Sequence, residues 1–148
     1  MSVVGLASLY GDPIHSGHID YLEAARSKCD HLIVIVNNDN QVKIKGSVPF
    51  LDEKTRARIV GALRCVDEVY LSIDQDSSVA ASIEQVIASF LLLGGFRFAL
   101  FNSGDRNPNN QNSKESEVCK RWDIKEVFLD LPKVNSSSAL KNAISTHT

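Results

Sequence analysis

Two histidines three residues apart, His15 and His18, flank Ser16-Gly17 in the string Gly11-Asp12-Pro13-Ile14-His15-Ser16-Gly17-His18. Where an apolar run hands over to a helical pattern, this spacing turns both imidazoles toward one spot. Imidazole N–H donors aimed at phosphoryl oxygens steady the charge that builds up during transfer. Gly17 has no side chain, so a bulky anion can approach the N–H groups that open the helix, where the dipole also favours negative charge. The plain alternative is a pair of helix caps, and position in the first loop favours the phosphate site over it. A metal site would need a third ligand, which neither the loop nor a nearby cysteine supplies.

Cations stand where a polyphosphate would need them. Lys43 and Lys45 follow the second apolar run and Arg56 lies a little further on; together they suit the β and γ phosphates of a nucleoside triphosphate. Read plainly, the lysines are surface charges and Arg56 pairs with Glu53 or Asp52. Ser136, Ser137 and Ser138 open the last helical segment, either as a simple cap or as a second anion site. Gly104-Asp105-Arg106 is either a turn or a substrate contact. The sequence has no P-loop and no Gly-x-Gly-x-x-Gly after its first strand, which sets aside kinase and dehydrogenase chemistry. It also lacks a nucleophile elbow, and no cysteine is near the histidines. Covalent catalysis is not required, because a phosphate monoester is itself an anionic nucleophile.

These residues sit between regularly alternating elements. Apolar, β-branched runs at 3–10, 31–37, 68–72, 97–101 and 125–129 read as strands, and helical spacing appears at 18–28, 52–63, 78–92, 113–122 and 137–144. The alternation predicts an α/β fold: a Rossmann-like open parallel five-stranded sheet with helices on both faces, whose ligands sit beyond the C-terminal strand ends. The loops to inspect are therefore 11–17, 38–51, 73–77, 102–112 and 130–136. The polar run 107–112 reads as a surface loop that closes over substrate.

With 148 residues, 43% hydrophobic and 23% charged, residues 1–148 are expected to form one domain. Sixteen Lys and Arg against eighteen Asp and Glu give a net charge of −2, so no bulk field draws nucleic acid or an anionic membrane. The apolar stretch 87–101 is interrupted by Ser89, Gly94-Gly95 and Arg97, and no basic residue precedes Arg26. Neither a membrane span nor a secretory signal is expected. Three scattered cysteines suit a reducing, cytoplasmic setting.

The string from Asp12 to Asp39 resembles the His-x-Gly-His nucleotidyltransferases, in particular the cytidylyltransferase-like branch that includes glycerol-3-phosphate cytidylyltransferase and heptose-1-phosphate adenylyltransferases. The similarity runs on through Leu32-Ile33-Val34-Ile35-Val36-Asn37-Asn38-Asp39, Lys45-Gly46, Arg56 with Ile59-Val60-Gly61-Ala62-Leu63, Val66-Asp67-Glu68-Val69, Gly104-Asp105 and Asn135-Ser136-Ser137-Ser138. The resemblance implies a nucleotidyltransferase that couples a nucleoside triphosphate to a small sugar or polyol phosphate and releases pyrophosphate. His15, His18, Lys45 and Arg56 would be catalytic. Tyr10, Gly11, Asp12, Gly17, Gly104, Asp105 and Ser136 to Ser138 would hold the nucleotide, and Asp39 and Arg106 the acceptor. Mg2+ is expected to arrive with the triphosphate, with Asp12 as its protein contact, and the chain is expected to form a homodimer. CTP is the first choice of nucleotide and ATP the second. Two departures bear on that choice: Gly11 stands where the family commonly has Phe, and 131–135 replaces an Arg-Thr stretch. A nucleotide-binding sensor without turnover is the alternative class.

Overall fold

A computed structural model describes residues 1–103 and 113–131. The elements are β1 (Ser2–Leu9), α1 (Ser16–Arg26), β2 (His31–Val36), α2 (Asp39–Ile44), α3 (Glu53–Gly61), β3 (Glu68–Leu71), α4 (Ala80–Leu93), β4 (Phe96–Asn102), α5 (Lys114–Arg121) and β5 (Ile124–Phe128). The five strands form one sheet in the order β3-β2-β1-β4-β5, and every neighbouring pair is parallel. This is the expected Rossmann-like α/β architecture. The order reverses between β1 and β4, which opens a crevice at the C-terminal ends of those two strands.

Alternation along the strands gives each face of the sheet its own core. Val4, Leu6, Ile33, Ile35, Phe98 and Leu100 pack against Ile83, Val86 and Ile87 of α4 and Val118 of α5. On the other face Ala7, Leu9, Leu32, Val34 and Phe101 meet Leu22 and Ala25 of α1 and Val60 of α3. Each fully buried Leu, Ile or Phe removes enough apolar surface to contribute about 1.5–3 kcal/mol. Helices covering both faces leave the C-terminal rim as the edge where the loops converge. Among the described residues no helix is long and apolar enough to cross a membrane.

Two expectations need amending. Residues 38–51 were expected to be a loop, yet Asn38 caps a short helix there: its side chain accepts from Gln41 N–H while the Gln41 side chain accepts from Asn38 N–H. A reciprocal cap of this kind starts a helix of six residues that is too short to show an apolar period. The helix expected at 18–28 begins instead at Ser16, because His15 is its N-cap. The segment 137–144 lies outside the described residues.

Candidate functional site

The first loop is built by the start of α1. His15 is extended and caps the helix: its Nδ1 accepts from Gly17 N–H at 3.0 Å, while Nδ1 of His18 reaches back to His15 N–H at 3.1 Å. The two rings lie close together, with centroids 3.9 Å apart and planes 30° from parallel. Both histidines thus cap the helix, and the capping determines the rest of their chemistry. A neutral imidazole whose Nδ1 accepts carries its proton on Nε2, so each ring is left with an Nε2–H donor. Burial lowers the pKa of His15. For His18, burial first and then the neighbouring His15 and Lys45 lower it from 6.5 to about 4, so both rings are neutral donors near pH 7. The Gly17 N–H, expected to meet an anion, is instead taken by the His15 ring.

Lys45 comes from the end of α2, where it is the C-cap. Its ammonium sits over the Tyr10 ring, 4.5 Å from the centroid, and is close enough to His18 to depress that ring's pKa. Tyr10, Lys45, His15 and His18 therefore share one patch of the rim. Lys43 is likewise exposed on α2, one residue before its end. Gly11 follows with a φ of +60°, and a Cβ there would lie 2.7 Å from Leu9 Cδ1. This backbone geometry explains why glycine stands where the family commonly has Phe.

Arg56 meets this patch through the Tyr10 backbone, from inside the fold. The side chain is fully buried. Nε donates to Leu51 C=O at 3.0 Å and Nη1 donates to Tyr10 C=O at 2.8 Å and Asn37 C=O at 2.7 Å. Nη2 donates to Asp39 Oδ1 at 2.7 Å. The guanidinium fork is spent on tying the exits of β1 and β2 to the loop before α3, and the ion pair is with Asp39 rather than Glu53 or Asp52. Asp39, expected to touch the acceptor, thereby becomes Arg56's counter-charge. Asp12 has a comparable bracing role: buried, it accepts from Phe50 N–H at 2.9 Å and Leu51 N–H at 2.7 Å, one on each carboxylate oxygen. A carboxylate so committed to backbone is poorly suited to bind a metal ion, and among the described residues no group of three or more His, Cys, Asp or Glu could hold one.

A cavity of about 610 Å³ lies on the same rim, on the α4 and α5 side of the sheet. Ser8, Leu9, Tyr10 and Asn37 form its floor, Asp76 to Val79 one wall, and Ser113 to Glu115 another. The Asp76 wall is fixed by a buried amide: Gln41 Nε2 donates to the carbonyls of Asp76 and Ser78, both at 2.7 Å, and Gln41 Oε1 accepts from Asn37 Nδ2 at 3.1 Å. Asp74 caps the start of α4 through Ala81 N–H and Ser82 N–H. Asp76 and Lys114 form an ion pair between the two walls. With the Ser78 hydroxyl and N–H, this pairing holds the Asp76 pKa down at about 2. Glu115 stands near Tyr10, whose pKa is raised by burial and then by the Glu115 charge. Asn102 ends β4 on the same face as Phe98 and Leu100, and its buried Nδ2 has no hydrogen-bond partner among the described residues.

The rim thus unites Tyr10, His15, His18 and Lys45, with Arg56, Asp39 and Asp12 bracing it from beneath. Gly104, Asp105, Arg106, Ser136, Ser137, Ser138 and the 107–112 loop lie outside the described residues. The sequence reading did not identify Asn37, Gln41, Asp76, Lys114 or Glu115. Gln41 had a local signal in the Asn38-x-x-Gln41 capping pattern, whereas the pairing of Asp76 with Lys114 spans 38 residues and has none.

The family model described as cytidylyltransferase-like matches residues 12–130. Among curated proteins, the bifunctional protein HldE of Bradyrhizobium sp. (strain ORS 278) is 42% identical over 94 residues, which are 62% of this chain and 19% of that protein. The FAD synthase of Thermoplasma acidophilum is 34% identical over 83 residues, 56% of this chain and 57% of that enzyme. The matched part therefore spans about a fifth of the first relative and little more than half of the second. Among solved structures, a lipopolysaccharide core biosynthesis protein from Thermoplasma volcanium GSS1 superposes with a TM-score of 0.64 at 20% identity, covering 91% of this chain and 100% of that one. A bifunctional NMN adenylyltransferase/ADP ribose pyrophosphatase from Francisella tularensis, complexed with AMP and a manganese ion, gives 0.69 at 10% identity, covering 100% of this chain and 43% of that one. At these identities the superpositions show a shared fold.

Proposed function

Because the chain belongs to the cytidylyltransferase-like family, we propose that it is a nucleotidyltransferase that joins a nucleoside triphosphate to a small phosphorylated acceptor and releases pyrophosphate. A phosphate oxygen of the acceptor attacks the α-phosphorus in line, and the bond from that phosphorus to the bridging oxygen of the β-phosphate breaks. The two Nε2–H donors of His15 and His18 meet the α-phosphate and the bridging oxygen, where negative charge builds up. Lys45 carries a full positive charge beside them for the departing pyrophosphate. No side chain need take or give a proton, so the work is positioning and charge stabilisation. Arg56 acts indirectly by holding the loops in register. Magnesium would travel with the triphosphate; its charge would offset that of the phosphates, and Asp12 is not fitted to hold it.

ATP is the better reading of the nucleotide, in place of the CTP first expected. One relative is a FAD synthase, whose named product contains an adenylyl group, and a protein of the same fold is titled an NMN adenylyltransferase. The single observation that carries the proposal is the capping geometry, which points the donor nitrogen of each imidazole away from the helix it caps. Pyrophosphate release should be measured with each of the four nucleoside triphosphates against a panel of sugar, polyol and flavin phosphates. The expected result is release with ATP, with His18→Ala lowering kcat by about a hundredfold to a thousandfold. Nucleotide binding without release for any pair would favour the sensor reading instead.

A further inference from the structure

We propose that Gln41 is a positioning residue for the nucleotide: its buried amide fastens the short helix that carries Lys45 to residues 72–78, and this fixes where the ammonium stands on the rim. The inference rests on the nucleotidyltransferase reading, in which Lys45 meets the polyphosphate, and deepens it.

Helix α2 has six residues, and a helix so short does not hold together in water without tertiary partners. Its buried side chains are Gln41 and Val42, while Asn40, Lys43 and Ile44 are exposed. Apolar burial therefore contributes little, and polar contacts decide where the helix sits. At its start Asp39 is held by the Arg56 guanidinium. One turn before the cation, the Gln41 C=O accepts from Lys45 N–H at 3.0 Å. The residue that anchors the middle of the helix thus also fixes the backbone of Lys45.

The Gln41 side chain is wholly buried, and both ends of its amide are satisfied. Nε2 donates to Asp76 C=O and Ser78 C=O, both at 2.7 Å. Oε1 accepts from Asn37 Nδ2 and Asn38 N–H, each at 3.1 Å, and from the Ser72 hydroxyl. Carbonyls only accept, so these partners settle which end of the amide is nitrogen. Two donors at one end and an acceptor at the other are what a primary amide offers. Residues 72–78 are in turn tied to the sheet and to α4. Ser72 N–H donates to Val36 C=O at 2.9 Å, and the Asp74 carboxylate accepts from Ala81 N–H at 2.8 Å and Ser82 N–H at 3.1 Å. A chain of hydrogen bonds runs from the sheet through Gln41 to the Lys45 backbone, and from there the side chain crosses to the Tyr10 ring. Without the amide, α2 is left hinged at Asp39, and a shift of about 1 Å at Lys45 is enough to weaken a charge-assisted contact.

The test is calorimetric titration of the full chain with ATP and with CTP, in the presence of magnesium and without acceptor. Wild type, Gln41→Met, Lys45→Ala and the double variant are compared. Methionine keeps the length and removes both ends of the amide; Gln41→Asn, one methylene short of Asp76 and Ser78, is run beside it as the change gentler on folding. Lys45→Ala should raise the Kd by about tenfold to a hundredfold, and Gln41→Met by about tenfold while Lys45 is present. In the Lys45→Ala background the Gln41 substitution should change the Kd by less than about twofold, because a residue that acts through the lysine has nothing left to position. A purely structural role would weaken binding whether or not Lys45 is there. An equal loss in both backgrounds, or an unchanged Kd in Gln41→Met and Gln41→Asn, therefore overturns the inference. Binding that follows the expected cycle, with no pyrophosphate release for any acceptor, overturns nucleotidyl transfer and leaves the role of Gln41 standing. A wild-type chain that binds neither nucleotide overturns both.

Discussion

Replacing Arg56 by methionine tests whether this arginine braces the site or touches the nucleotide. The wild-type side chain is wholly buried and makes four hydrogen bonds, three of them to the carbonyls of Leu51, Tyr10 and Asn37. Methionine fills much of the volume and supplies no donor. An orphaned buried acceptor costs about 1–3 kcal/mol, and breaking a buried charged group away from its partners costs about 3–5 kcal/mol in all. Asp39 is 29% exposed and regains water, which keeps the total at the lower end. Against a stability of about 5–15 kcal/mol for a domain, and about 2–4 °C per kcal/mol at this size, Tm should fall by about 6–12 °C. Arg56→Lys should recover little of this, since a compact ammonium cannot span acceptors set out for a planar fork. Thermal unfolding followed by circular dichroism gives the stability, and pyrophosphate release on the folded fraction gives the kinetics. A Tm within about 2 °C of wild type, together with a large rise in the KM for the nucleotide, would refute the bracing role and return Arg56 to the phosphates.

Two further outcomes follow from the same geometry. By nitrogen-15 NMR, His18 should be neutral with its proton on Nε2 at pH 7 and should titrate near 4. Its folded pKa lies below the unfolded value of about 6.5, so the stability it contributes is complete above that pH and lost as pH falls toward 4; a midpoint above 6.5 would contradict the assigned tautomer. Asp12→Ala should cost about 2 kcal/mol in urea unfolding by orphaning Phe50 N–H and Leu51 N–H. The magnesium concentration for half-maximal activity should stay unchanged in that variant, and a marked increase would identify Asp12 as a metal ligand.

The fold was legible because a parallel sheet covered on both faces demands continuous apolar strands, and runs such as Leu32 to Val36 have no other use. Helix α2 escaped because a buried amide network, rather than an apolar stripe, holds it. In the site, residue type and position picked out the histidines and Lys45. They also picked out Arg56, Asp39 and Asp12, but not the direction in which those side chains face. A charge beside a strand end reads as a ligand contact until burial shows it turned inward to satisfy carbonyls and amides. The cavity walls were invisible for a different reason: Asp76 and Lys114 meet only once α4 and α5 have been packed together on one face of the sheet.

The hydrogen bonds that begin α1 also orient the imidazoles, and everything needed for that lies within four consecutive residues. The imidazole pair is consequently a cassette assembled by local folding, whereas the cavity walls come from remote stretches of chain. Such a division lets the walls be rebuilt while the cassette is carried over unchanged.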